Sequence, residues 1–410
     1  MSKKGKIIFI VAALLIIGAI VVGVILGLRK IPTVSNEAPS SFPTSSSQTQ
    51  TSGANGNTST TSSQVQTLNT SGESSSPELK RLTLLTKGPA MGYWIVSPQI
   101  LGESTSSASV LQSAVFYMGS NGDVIRIQPD GKEVIVSHFG EAPLRVIQSA
   151  SGARVVVEFA SGSFALYDVS RSAFEFLPQG TVSAAFSPDG TMLAYLTPNA
   201  SGKQELFIRD LTTTKKTITK TLSLFIDDVK LSWPTATRIY LIPPQASNFI
   251  GDVWYFDIGT KTVSLFTSGT GIGALFSSVS STALIFHNEN NSSIAAYIKN
   301  TKTGSSTPLT LSTLLSKCAF LFDNSDVVCA IPQVKSKTTR VQLPDDYNTM
   351  ALFTSDSLLL LSAAKGYASH DIFTSLQAPF DAKDIRARAQ QVFFIDRLTD
   401  ALYLFDMRGL

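Results

Sequence analysis

Ala184-Ala-Phe-Ser-Pro-Asp-Gly-Thr-Met-Leu-Ala-Tyr-Leu196 reads as strand, tight turn, strand. Apolar residues fill both arms, and the Pro188-Asp189-Gly190 between them is turn chemistry. Proline presets one dihedral, aspartate bonds its own backbone, and glycine accepts positive φ. A third apolar stretch follows, Leu206-Phe-Ile-Arg-Asp-Leu211, then a Thr/Lys-rich fourth, Lys216-Thr-Ile-Thr-Lys-Thr221. The same order returns at once as Val229-Lys-Leu-Ser-Trp233, Arg238-Ile-Tyr-Leu-Ile242, Val253-Trp-Tyr-Phe-Asp257 and Thr262-Val-Ser-Leu-Phe266. Third stretches with matching ends occur at Leu166-Tyr-Asp168, Ala296-Tyr-Ile-Lys-Asn300 and Leu402-Tyr-Leu-Phe-Asp406.

The terminal Asp or Asn marks a period. Gaps between residues 168, 210, 257 and 300 are 42, 47 and 43 residues. Four short strands and a polar turn in about 45 residues is the content of a propeller blade, whereas a solenoid repeats at a shorter interval. Between Leu79 and Leu410 the units fall at 88–140, 141–179, 180–226, 227–270, 271–315, 316–378 and 379–410. The fold class expected is therefore all-β, a seven-bladed β-propeller, with six or eight blades as the alternatives. The last unit stops after its third strand, and Lys80-Arg-Leu-Thr-Leu-Leu-Thr86 is placed to supply the missing outer one. Closure by strands from both ends removes exposed sheet edges. The sixth unit is long, and its excess around Pro332–Thr349 reads as an inserted loop or short helix.

The strand–Ser-Pro-Asp-Gly–strand unit at 184–196 resembles the signature of TolB-type, WD-repeat-like β-propellers. It also resembles the propeller domains attached to prolyl-oligopeptidase-type hydrolases. The resemblance implies a seven- or six-bladed propeller with a protein-binding role in bacterial cell envelopes, and it implies no catalytic residue. The Gly-His and Trp-Asp landmarks of true WD repeats are absent.

The N-terminal region is of another kind. Ile7 to Leu28 is an unbroken apolar run, and at ~1.5 Å per residue its 22 residues suffice to span the hydrocarbon core. Lys3, Lys4 and Lys6 precede it and Arg29 and Lys30 follow, with no acidic residue among the first 30. The chain's net charge of +3 is thus a membrane flank of +5 attached to a remainder of −2. That excludes a basic nucleic-acid binder. The run is too long for a signal-peptide core and ends in a poor cleavage site, so it reads as an uncleaved anchor. The excess of lysines before it favours a cytoplasmic N-terminus and an extracytoplasmic propeller. Ala19, Gly23 and Gly27 share one helix face, a pattern that allows close helix–helix contact, although small residues are common in membrane helices.

Residues 29–78 are Ser/Thr-rich with very few apolar side chains, and they read as a disordered linker. The expected organisation is a cytoplasmic tail at 1–6, a transmembrane helix at 7–28, the linker at 29–78 and the propeller at 79–410.

Two cysteines exclude a disulfide framework. With Asp323-Asn324 as a hairpin turn, Cys318 and Cys329 sit opposite each other, within reach of a bridge. Two buried thiols are the competing reading. Signals for catalysis are weak. His138, His287 and His370 fall in different units, and G-x-S-x-G is absent. Gly269-Thr-Gly271-Ile-Gly273 joins strands and opens no helix, unlike a phosphate loop. Phe186, Trp233 and Phe320 occupy equivalent places and read as core between blades. Trp94, Trp254, Asp345 and Asp346 are candidate binding-loop residues, with core packing the safer reading for the two tryptophans and loop solvation for the two aspartates.

No cofactor, metal or catalytic residue is expected. The function expected is a membrane-anchored, non-enzymatic protein-interaction or scaffold module at the cell envelope, contacting the bilayer through residues 7–28. Its partner is a protein or an envelope polysaccharide. Two alternatives stand beside it: a glycan-binding or glycan-processing propeller enzyme with an acidic funnel site, and an envelope assembly factor.

Overall fold

The repeat becomes seven four-stranded antiparallel sheets. The computed structural model describes residues 81–102, 111, 113–213, 218–224, 228–290, 293–322, 324–333, 342–374 and 379–409. Blade 1 comprises Gly92–Val96, Ala114–Met118, Asp123–Ile127 and Glu133–His138; blade 2 comprises Pro143–Gln148, Arg154–Phe159, Phe164–Asp168 and Ala173–Phe176. Blade 3 is Ser183–Phe186, Met192–Pro198, Gln204–Asp210 and Ile218–Leu224. Blade 4 is Lys230–Thr235, Arg238–Ile242, Ile250–Asp257 and Thr262–Thr270. Blade 5 is Gly273–Phe276, Thr282–Asn290, Ser293–Asn300 and Ser306–Leu309. Blade 6 is Cys318–Phe320, Val327–Pro332, Asp356–Ser362 and Ala368–Phe373. Blade 7 takes three strands from the C-terminal end, Ala382–Arg388, Gln391–Asp396 and Leu402–Asp406. Its fourth is Leu82–Leu84, which pairs with the third in the register Leu82↔Phe405, Thr83↔Leu404, Leu84↔Tyr403.

The ring is closed by packing as well as by pairing. Among the described residues each pair of adjacent blades shares its own apolar cluster. Trp94, Phe116, Val155 and Tyr167 fill the space between blades 1 and 2. Leu193, Tyr195, Val156 and Leu166 join blades 2 and 3. Trp233, Phe256 and Leu206 join blades 3 and 4. Tyr240, Phe276 and Ile285 join blades 4 and 5. Phe286, Phe320 and Val327 join 5 and 6, while Leu358, Phe373, Phe394 and Phe405 join 6 and 7. Tyr93, Val115, Phe393 and Leu404 then bring blade 7 back to blade 1. Burial of whole aromatic side chains, at roughly 25 cal/mol per Å² of apolar surface, is the main favourable term in such an interface.

Turn chemistry sets the hairpins of each blade. In the Ser-Pro-Asp-Gly turn, Asp189 accepts from the Ser187 hydroxyl (2.5 Å), the Thr191 N–H (3.0 Å) and the Thr191 hydroxyl (2.8 Å). Gly190 there has φ +69°, a conformation that disfavours any side chain. The Asp/Asn marker works the same way at the next hairpin. Asp210 accepts from the Thr212 N–H at 2.7 Å, Asp257 from the Thr260 N–H at 2.9 Å, and Asn300 from the Lys302 N–H at 2.9 Å. The period seen in the sequence is therefore the period of side-chain-capped turns. Gly152 shows why one turn tolerates no other residue: a Cβ there would lie 2.0 Å from the Ile95 carbonyl oxygen of the neighbouring blade.

Alternation of strand direction divides the loops between two faces. Turns between first and second strands, and between third and fourth, share one face, called here the hairpin face. Loops between second and third strands, and the links from blade to blade, share the opposite crossover face.

The expected transmembrane helix at 7–28, the Ala19, Gly23, Gly27 stripe and the linker at 29–78 lie outside the described residues. Among the described residues no helix is long and apolar enough to cross a membrane.

Candidate functional site

The crossover face carries a feature that breaks the repeat. Blade 6 has an insertion between its second and third strands, and its described part, residues 342–355, contains the short helix Asp345–Asn348. Asp345 and Asp346 occupy the first turn, where carboxylates suit the helix dipole. Both accept hydrogen bonds. Asp345 accepts the backbone N–H of Ser247 at 3.1 Å and also its hydroxyl, fastening the insertion to the blade-4 loop. Asp346 accepts the N–H of Gln342 at 2.7 Å. From blade 5, the Asn288 amide donates to Ser247 O at 2.6 Å and to Leu343 O at 3.3 Å. The insertion thus spans loops of several blades.

Beneath it lies a buried charge cluster. Lys317, at the entry to the first strand of blade 6, has no exposure to water. Its ammonium donates to Thr354 Oγ1 (2.9 Å), Asp381 Oδ1 (2.6 Å), Ala382 O (3.2 Å) and Asp356 Oδ2. Asp356 Oδ2 also accepts the Ala382 N–H at 2.8 Å, and its other oxygen lies 2.7 Å from the Thr354 hydroxyl. Asp381 accepts the Tyr347 hydroxyl at 2.9 Å and the Thr354 N–H at 3.0 Å. All four carboxylate oxygens therefore have donors.

Burial pushes the Asp356 carboxyl up, outweighing the pull of Lys317. At Asp381 burial pushes the same way, but the Lys317 ammonium and the Thr354 and Tyr347 donors hold the carboxyl below its ordinary range. Burial raises the Tyr347 phenol as well. Two carboxylates sharing one ammonium in a dry, saturated cage have no open coordination or proton-transfer position. The arrangement is a clamp between blade 6, blade 7 and the insertion.

Above the clamp the surface is apolar. Met350, Phe353 and Leu398 are 53%, 48% and 52% exposed, and Phe249 and Ile250 of the blade-4 loop are exposed on the same face. Arg397 is buried among them, its guanidinium 3.9 Å from the centre of the Tyr347 ring and 4.8 Å from that of Phe353. It closes on the cluster through Asp381, 3.6 Å away. An arginine stacked between two rings holds the insertion's aromatic residues in place.

The structure redistributes the sequence candidates. Cys318 and Cys329 form a disulfide across directly paired first and second strands of blade 6, with Cα atoms 4.1 Å apart. Trp94 requires a correction. It is no loop residue but the centre of the first strand of blade 1, with no exposure, stacked on Phe116 at 5.4 Å. Trp254 likewise sits in the third strand of blade 4, half-buried against the cluster shared with blade 3. Asp345 and Asp346 are on the crossover face, but as fasteners of the insertion. The histidines are apart, and His138 pairs with Asp123 at 2.7 Å. Among the described residues no group of three His, Cys, Asp or Glu is placed to hold a metal.

Lys317, Tyr347, Asp356, Asp381 and Arg397 were not legible as a group. The one available signal was Lys317 itself, a charge in the otherwise apolar entry Leu314-Leu-Ser-Lys-Cys-Ala-Phe320.

With this geometry in hand, comparison with known proteins is informative about fold. No protein-family model matches the sequence, and a search of curated proteins finds no match. Among solved structures, the chain is similar to an oligogalacturonate lyase from Vibrio parahaemolyticus. That likeness has 10% identity and a TM-score of 0.54, covering 80% of this chain and 94% of that one. It is similar to the WD40 repeats of RRP9 at 10% identity and a TM-score of 0.51, covering 82% and 99%. TolB from Acinetobacter baumannii is also similar, at 14% identity and a TM-score of 0.42, over 68% of this chain and 62% of that chain. The likenesses to the lyase and to the WD40 repeats show the propeller fold.

Proposed function

We propose that this chain is a membrane-anchored, extracytoplasmic binding module whose crossover face docks a protein partner. One observation carries the reading: the blade-6 insertion is fastened by Asp345, Asn288 and Arg397, yet its Met350 and Phe353 project into solvent beside Leu398. Exposed apolar side chains held on a rigid support are the composition of an interface core, since preorganised groups lose little entropy on binding. Binding rather than catalysis is favoured because the acidic residues of the insertion and of the cluster beneath it are committed to Ser247, Gln342 and Lys317. The apolar run at 7–28 with its flanking lysines and arginine supports the anchor and the orientation.

Photo-crosslinking in intact cells tests the reading. A photoreactive residue at Phe353 of the full chain is expected to give a discrete protein adduct, and one at Gly131 on the hairpin face is not. Equal adducts from both positions, or none from Phe353, overturn it. Protease added to intact cells is expected to cleave the propeller while sparing a cytoplasmic marker.

A further inference from the structure

We propose that the outer strand of blade 2, Ala173–Phe176, receives an extended segment of a partner polypeptide as a fifth strand of its sheet. The site lies on the outer rim of the propeller and does not depend on the docking surface proposed above.

Each blade ends in an outer strand with a free edge, and native sheets protect such edges with bulges, proline, charge or brevity. Among the described residues, six of the seven outer strands carry such a device. One residue bulges out of the ladder in each of blades 1, 3, 4 and 6, at Val136, Thr221, Phe266 and Ile372. The blade-5 strand holds Pro308 opposite Tyr297, and the blade-7 strand is three residues long. Blade 2 has none of these. Its ladder runs without a break from Ala165↔Phe176 to Asp168↔Ala173. The charged residue in the strand, Glu175, is neutralised by Arg209 of blade 3, whose two terminal nitrogens lie 3.3 and 2.9 Å from its carboxylate oxygens.

The edge is built to pair. The Leu177 N–H donates to Phe164 O at 2.8 Å, which fixes the alternation of the ladder. Ala173 and Glu175 therefore bond inward, and the N–H and C=O of Phe174 and Phe176 point outward. The strand is the last of its sheet, so these four groups have no ladder partner. Both side chains are exposed, Phe174 by 41% and Phe176 by 55%. Their rings stand 5.7 Å apart, edge to face, with Phe139 4.5 Å from Phe174 and Phe159 6.4 Å from Phe176. Strand addition uses this combination: main-chain bonds hold the guest, and alternate side chains select it.

Charge decides which guest fits. In the antiparallel register that uses all four groups, the guest's middle residue stands directly opposite Glu175. A second copy of this chain would set Glu175 against Glu175, and like charges directly opposite are unfavourable. A guest with lysine or arginine there sets a cation against the Glu175 carboxylate, which is 38% exposed beside Arg209. Apolar residues on either side of that cation then cover the two rings.

Fluorescence anisotropy tests this with the purified full chain and a labelled probe peptide, Ser-Thr-Ile-Lys-Ile-Thr-Ser. Saturable 1:1 binding is expected. Glutamate in place of the probe's lysine is expected to weaken it at least fivefold. N-methylation of the two isoleucines, which removes the guest's ladder donors, is expected to weaken it at least tenfold. Phe174→Pro removes an outward N–H and no bond within the blade, and is expected to weaken binding at least tenfold. Phe176→Lys is expected to weaken it severalfold, and becomes the decisive variant if circular dichroism melting shows Phe174→Pro unfolded. Failure of the probe to saturate overturns the proposal, as does undiminished binding by the glutamate probe, the N-methylated probe or the folded decisive variant. A concentration-dependent dimer in light scattering that Phe176→Lys dissolves also overturns it, by assigning the edge to a second copy.

Discussion

Lys317 Nζ lies 2.6 Å from Asp381 Oδ1, both groups fully buried, across the junction of blades 6 and 7. The same ammonium bonds Asp356, and the buried Arg397 guanidinium lies 3.6 Å from Asp381, so Asp356 depends on Lys317 while Asp381 has both cations. Removing the ammonium strands the Asp356 charge and leaves Asp381 to Arg397 alone, and breaking a buried pair this way costs ~3–5 kcal/mol. Lys317→Met is therefore expected to lower the unfolding free energy by that amount in urea denaturation at pH 7. Asp356→Asn added to it recovers part of the loss, because burial already pushes that carboxyl toward its neutral form. A cost under ~1 kcal/mol for Lys317→Met, the range of surface pairs, would mean that the cluster does not clamp the blades.

Asp345 and Ser247 make a local fastener instead. Two hydrogen bonds to a charged acceptor contribute about 1.5–3 kcal/mol each at most, and they hold only the insertion. Asp345→Ala is expected to speed amide exchange at Asn348, Thr349 and Met350, whose N–H groups bond within the insertion. The global unfolding free energy should fall by less than the ~3–5 kcal/mol expected of Lys317→Met, because the insertion can open by itself. Phe353→Ser should do the reverse, leaving exchange unaltered and abolishing the crosslinked adduct. If both variants lose the adduct and both speed exchange, the insertion's aromatic residues are structural and the docking surface lies elsewhere.

These two cases show what was legible in the sequence. The blades were readable because Asp168, Asp210, Asp257 and Asn300 cap turns through their own neighbours, two residues away in sequence, so the signal is local. The cysteine pair was readable because hairpin register is also local. The insertion showed as excess length in the sixth unit. Its fastening did not, because Ser247 lies 98 residues from Asp345. Lys317 stands 39 and 64 residues from its carboxylates, so the apolar stretch around it hints at burial but names no partner. Trp94 misled for a related reason. Its neighbour Gly92 is small because a Cβ there would meet Val146 of blade 2 at 2.7 Å. Close approach between blades, rather than a turn, demanded that glycine.

The Cys318–Cys329 bridge makes stability depend on redox conditions. It closes a loop with a sequence separation of 11 residues, and restricting the unfolded chain over so short a loop contributes about 2–3 kcal/mol. Wild-type protein is expected to unfold at lower urea concentration once reduced with dithiothreitol. The Cys318→Ala/Cys329→Ala variant should already sit at that lower midpoint and ignore the reductant. A reductant effect persisting in the variant would assign the sensitivity to something other than this bridge.

The capped turns predict the acid limb of the stability curve. Thr212 donors hold the Asp210 carboxyl below its ordinary range, Thr260 donors do so for Asp257, and the Ser187 hydroxyl does so for Asp189. A carboxyl with a depressed folded value binds its proton more weakly folded than unfolded. Its contribution is complete above the ordinary carboxylate value of about 4 and is lost as pH falls through the depressed value. Urea midpoints measured from pH 6 downward should therefore hold until about pH 4 and then fall steadily. Asp257→Asn separates the turn from the titration, since Asn300 makes the same bonds in blade 5 without a charge. That variant should match wild type at low pH, where Asp257 is protonated, and differ most at neutral pH. Asp257→Ala loses the turn itself and should be weaker across the whole range. If Asp257→Asn instead parallels wild type at every pH, the charge at this turn contributes nothing and the geometry of the bonds alone sets its stability.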